Sequence, residues 1–82
     1  MPQNAGRTQA LKECVEETMQ QYFRQLDGQP VTNVYDMVLS EVEAPLLAVV
    51  MNVCQGNQCK AAEMMGLSRG TLRKKLQQHG ML

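Results

Sequence analysis

Apolar residues along this chain recur with a helical period in successive runs, and each run ends at a recognisable break. From Leu11 they fall at steps of three and four: Leu11, Val15, Met19, Tyr22 or Phe23, and Leu26. That spacing lines one face of a helix. Asp27-Gly28-Gln29-Pro30 ends the run, since glycine suits the residue after a helix and proline cannot continue one. Residues 1–10 are polar, include Pro2 and Gly6, and show no period, so a flexible tail is expected there.

A second helix is expected from Thr32 or Asn33, either a suitable N-cap, with Asp36 in its first turn. Its apolar set is Val34, Val38, Leu39, Val42, Leu46, Val49, Val50 and Val53, and the run continues to Gln55 before Gly56 closes it. Such a helix would span about 33 Å at 1.5 Å per residue. Pro45 removes one internal hydrogen bond and should kink the axis. After it, Leu46 to Met51 is apolar on nearly every side, and a helix of that kind must be buried all round. A chain of 82 residues has little other material to cover it. The expectation is therefore that the first two helices pair with their copies in a second chain, with Val42, Leu46, Val49, Val50 and Val53 in the shared core. A well-buried monomer core is the plainer alternative.

The segment from Gly56 to Leu82 has the grammar of a helix-turn-helix. Asn57 can cap a short helix over about Gln58 to Met65, Gly66 takes the turn, Leu67 points inward, and Ser68 caps a last helix from Arg69 to about Gln78. Two steeply crossing helices need a small residue where they touch, and Ala62 fills that place. Ala61, Met65, Leu67, Leu72 and Leu76 would hold the pair on the rest of the chain, leaving Arg69, Arg73, Lys74 and Lys75 on the opposite face, with Ser68 and Thr71 near its start. This is the form of a recognition helix whose first residues reach base edges and whose later cations meet phosphates.

Charge sharpens that reading. The net charge is zero, but residues 1–59 hold three cations against seven acids, a net of −4, while residues 60–82 hold five cations against one acid, a net of +4. The positive part is where a polyanion would dock. Other chemistries find no support. Cys14, Cys54 and Cys59 are an odd set without a CxxC pair, so neither a disulfide framework nor a zinc site is expected. Cys59 stands apart only because it falls at a helix start beside Lys60, a setting that favours the thiolate. His79 is the single histidine, and Glu41 and Glu43, two apart on a helix, point away from each other. No enzyme activity, metal or cofactor is expected. The start of the chain has no apolar signal core, and no stretch approaches the roughly 18 apolar residues that span a bilayer.

At these residues the sequence resembles the Fis family of bacterial nucleoid-associated proteins. The stretch Gly56-Asn57-Gln58, Lys60-Ala61-Ala62, Met64-Met65-Gly66, Arg69-Gly70-Thr71-Leu72-Arg73-Lys74-Lys75-Leu76 and Gly80-Met81 carries the likeness. It extends back through Glu41-Val42-Glu43 and Pro45-Leu46-Leu47 to Tyr22-Phe23, Gln25-Leu26 and Gly28-Gln29. The resemblance implies an all-α, four-helix protomer with a C-terminal helix-turn-helix, intertwined as a homodimer through its first two helices. Residues 1–10 would be the tail, 11–55 the dimerisation core and 56–82 the DNA-binding region. It also implies a cytoplasmic protein of the nucleoid that bends double-stranded DNA and regulates transcription at degenerate, A/T-centred sites.

By the same resemblance Arg69 is the guanine reader, with Ser68 and Cys59 beside it standing where the family often has asparagine and threonine. Asn57, Lys60, Thr71, Arg73, Lys74 and Lys75 are the implied backbone contacts, and Ala62, Gly66 and Leu67 form the turn. Gln77 and Gln78 stand where lysine is frequent, lowering the phosphate count. RNA polymerase is a further candidate partner. DNA invertases are not expected, because the first ten residues lack the alternating β-branched pattern of a hairpin arm. The alternative is a detached C-terminal module of an NtrC-type enhancer-binding activator, whose chains end in a similar motif. A chain starting at Met1 with its own first two helices favours the nucleoid protein.

Overall fold

The computed structural model describes residues 2–82, with side chains from Gly6 onward. Four helices follow one another: α1 (Pro2–Leu26), α2 (Val34–Val53), α3 (Gln58–Met65) and α4 (Arg69–Gln78). No strand occurs among the described residues, so the all-α expectation holds. The chain forms two compact units, one ending at Thr32 and one spanning Asn33–Leu82.

The first unit is α1, and it corrects the expected tail. Helix begins at Pro2 rather than near Leu11. Pro2 takes the first helical position, where its missing N–H has no partner to lose. Gly6 is the only breaker in the following turns, at a cost of about 1 kcal/mol relative to alanine, and a helix already formed beyond it adds one bond per residue. The absence of apolar period before Leu11 therefore does not report an absence of helix, and residues 6–10 are exposed. Leu11, Val15 and Phe23 are 61%, 37% and 47% exposed, while Met19, Tyr22 and Leu26 are half-buried, so part of the apolar stripe of α1 lies open. The helix ends as expected, with Asp27 and Gly28 both at positive φ and the Gln29 amide donating to the Leu26 carbonyl at 3.0 Å.

In the second unit, Asn33 sits at the N-cap of α2 but in the left-handed region, φ 60°, and its side chain makes no capping bond. α2 continues through Pro45 and ends at Val53, two residues short of expectation. Gln55 and Gly56 turn left-handed, and the Gly56 amide donates back to the Met51 carbonyl at 2.9 Å. The same closure recurs after α3: Gly66 has φ 73° and the Leu67 amide donates to the Ala62 carbonyl at 2.9 Å. A side chain at Gly66 would be strained in that backbone conformation, so glycine fixes where α3 stops and α4 can start.

The core of this unit is small. Leu47 of α2, Cys54, Ala61 and Ala62 of α3, and Leu72 and Leu76 of α4 are buried, with Val50, Met51 and Met65 packed against them. Ala61 and Ala62 admit the close approach that lets α4 insert its two leucines. Leu67 is half-buried at the rim rather than within the core. α2 is not covered all round: Val42, Leu46, Val49 and Val53 are 42–61% exposed, while Leu47 on the other side is fully enclosed.

Candidate nucleic-acid interface

Two side-chain caps set the register of α3 and α4. Asn57 Oδ1 accepts from the Lys60 amide at 3.1 Å and starts α3. Ser68 Oγ accepts from the Thr71 amide at 3.1 Å and its hydroxyl reaches Thr71 Oγ1 at 2.9 Å, starting α4. Each satisfies an amide that the first helical turn leaves without a partner. The boundaries of α3 and α4 expected from sequence are those observed.

With Leu72 and Leu76 turned into the core, helical period places Gly70, Arg73, Lys74 and Gln77 on the opposite ridge of α4. Two shallow depressions meet along it. One is bordered by Asn57, Cys59, Arg69, Gly70 and Arg73, the other by Ser68, Gly70, Thr71, Arg73, Lys74 and Gln77. Arg69 Nη1 donates to the exposed Cys59 thiol at 3.1 Å, joining the starts of α3 and α4. That bond raises the already high proton affinity of the guanidinium, which like any arginine is a permanent cation. A permanent fork of N–H donors on an exposed rim can bind a phosphate or the paired acceptors of a guanine edge.

Lys60 and Lys75 line neither of these two depressions. Lys60 borders a different depression, beside Gln55, Glu63 and Met64. Lys75 does not share the outward ridge of Arg73 and Lys74, which corrects the sequence reading. It adjoins Leu76 on the helix, and its Nζ lies 2.6 Å from Glu43 Oε2 of α2. His79, at the C-cap of α4, meets Glu43 Oε1 at 3.1 Å. Hydrogen bonds from Lys75 first and His79 second hold the Glu43 carboxyl below the usual carboxylate range. This clamp ties the C-terminal half of α4 to α2. The sequence offered half a signal for it, since Lys75 and His79 are four apart and share a face. Nothing local points to Glu43, 32 residues away from Lys75.

Among the described residues no cluster of histidine, cysteine and carboxylates could hold a metal, and no helix is long and apolar enough to cross a membrane.

Comparison with known proteins places this geometry. Residues 38–79 match the family described as "Bacterial regulatory protein, Fis family", and residues 1–31 match "DNA-binding protein Fis N-terminal domain". A "Putative Fis-like DNA-binding protein" of Pseudomonas aeruginosa is 61% identical over 81 residues, covering 99% of this chain and 76% of that protein. The "DNA-binding protein Fis" of Aeromonas hydrophila is 56% identical over 71 residues, covering 87% and 72%. That of Tolumonas auensis is 55% identical over the same length and shares.

The clamp makes stability depend on pH. A carboxyl whose acidity is raised by folding contributes stability above its unfolded value, near 4.5, and loses it as pH falls through the folded value. With about a quarter of the Glu43 side chain exposed, screening limits the contribution to about 1 kcal/mol. Glu43→Gln should therefore lower stability by about 1 kcal/mol at pH 7 and flatten its decline in acid. Thermal melts of both proteins between pH 7 and pH 3 check this; parallel curves would show that Glu43 is not held by the clamp.

Proposed function

The chain belongs to the Fis family of bacterial regulatory proteins, and on that premise we propose that it binds and bends double-stranded DNA as a homodimer. In this reading it is a nucleoid-associated transcriptional regulator that acts at degenerate, A/T-centred sites. One observation carries the proposal. The α3–α4 turn sets Asn57, Cys59, Arg69, Thr71, Arg73 and Lys74 along one exposed surface, opposite the leucines that anchor α4.

The roles follow from chemistry. Arg69, at the N-terminus of α4, reads guanine through O6 and N7, worth on the order of 1–3 kcal/mol of discrimination. Ser68 and Cys59 flank it and tune the neighbouring base contact. Arg73, Lys74, Thr71 and Asn57 hold phosphates, which sets orientation without reading sequence. Lys60, and Lys75 within its clamp, add to the positive potential at the rim.

Dimerisation is supported by the surfaces left open. Val49 and Val53 of α2 are each 61% exposed, in line with Leu46 and Val42, and α1 carries a second stripe that is open in part. Continuous apolar surface of this kind marks a protein interface, and a second copy supplies a matching surface by symmetry. One recognition helix reaches half a site. As the family resemblance implies, two such helices set closer than one duplex turn enter successive major grooves only if the DNA bends. Preference then follows deformability at base pairs that are never touched.

Two experiments test these roles. In binding to a randomised duplex pool, Arg69→Ala should flatten the preference for guanine at the site ends, whereas Lys74→Ala should weaken all sequences about equally. Equal effects of both would remove the division between base and phosphate contacts. Val49→Glu should convert a dimer to a monomer in sedimentation, because one charge per chain would be buried unpaired. A Val49→Glu protein that sediments as a dimer would place the interface elsewhere.

A further inference from the structure

Glycine in this chain mostly serves the backbone. Gly28, Gly56, Gly66 and Gly80 all have positive φ. Gly70 does not. It is the second residue of α4, in right-handed helix, and a Cβ built on it would meet nothing within 4 Å. Glycine is among the poorest helix formers, so it weakens the start of a ten-residue helix without serving any contact inside the protein. Gly6 of α1 is equally open, but it lines neither of the two depressions beside α4.

The position of Gly70 gives the missing contact. It shares the outward ridge of α4 with Arg73, Lys74 and Gln77, and both depressions of the reading surface border on it. It is the one place on that ridge where the helix presents bare main chain, and Arg69 precedes it directly. An α-helix with its side chains is about 10–12 Å across, and the major groove of B-DNA is about 12 Å wide. A helix entering that groove has almost no clearance, so one side chain on the leading ridge decides how deep it sits.

We propose that Gly70 is a close-approach position, where the main chain of α4 packs against the floor of the major groove beside the base pair that Arg69 reads. A side chain there would hold α4 away from the bases. The guanidinium of Arg69 would then fall short of its two acceptors, while the longer, flexible Arg73 and Lys74 could still follow the phosphates. The inference rests on the DNA-binding reading above.

Gly70→Ala in the full chain separates the two contributions, because its effects on folding and on binding have opposite sign. Alanine should raise the melting temperature by roughly 4 °C, as expected for a better helix former in a domain of this size. The same variant should bind a duplex selected from a random pool by the wild-type protein about tenfold more weakly. It should lose much less affinity for unselected duplex, and the salt dependence of binding should stay the same, since phosphate contacts persist. Wild-type affinity for the selected duplex would overturn the proposal. So would a lower melting temperature, which would show that packing within the protein requires the glycine. Equal losses on both duplexes with a shallower salt dependence would put the DNA backbone against Gly70, and would overturn the groove-floor placement. Failure of the wild-type protein to bind any duplex would instead remove the DNA-binding reading itself, and the inference with it.

Discussion

The seating of Leu72 and Leu76 against Ala61, Ala62 and Leu47 is the contact on which the reading surface depends. A ten-residue helix is too short to persist in water by itself, so α4 exists because its apolar edge is enclosed. That enclosure also fixes its rotation. Once two leucines four residues apart point inward, Gly70, Arg73 and Lys74 point outward. Lys75 falls between the two faces, close enough to α2 for Glu43 to take it. The small side chains of α3 do as much as the leucines here, because a larger residue at Ala61 or Ala62 would push α4 off its seat.

What the sequence disclosed and what it withheld divide by the range of the interaction. The caps at Asn57 and Ser68 and the turn at Gly66 bond within three to five residues of themselves, so their residue types announced α3 and α4 to the residue. The end of α2 was misjudged by two positions because Gln55, not a glycine, adopts the first left-handed conformation. The start of α1 was misjudged for another reason. Apolar period reveals which face a helix buries, and residues 6–10 are exposed, yet nothing in the stretch prevents helix from growing back to Pro2. The Glu43 clamp and the Arg69–Cys59 bond join residues 32 or more and 10 apart. Their geometry exists only after the core has formed.

Charge and apolarity are segregated along the chain for a physical reason. Cations concentrate on α3 and α4, which in the proposed complex a duplex would neutralise, and the acids lie mostly on α1 and α2. In the proposed dimer the open faces of α1 and α2 would hold two reading surfaces at a set distance. In that dimer the Glu43 clamp, which fixes α4 to α2, would pass the spacing of the two chains to their α4 helices. The match to the Fis family across both parts of the chain is consistent with this division.

The central claim is that the outward cations of α4 and its neighbours neutralise DNA phosphates. The most direct test is the affinity of the unmodified protein for duplex DNA over a range of salt concentrations. If Arg73 and Lys74 of each protomer neutralise roughly four phosphates per dimer, the logarithm of the association constant should fall against the logarithm of salt concentration with a slope of about −4. A slope near zero would mean that this face does not meet the DNA backbone, and would contradict the account.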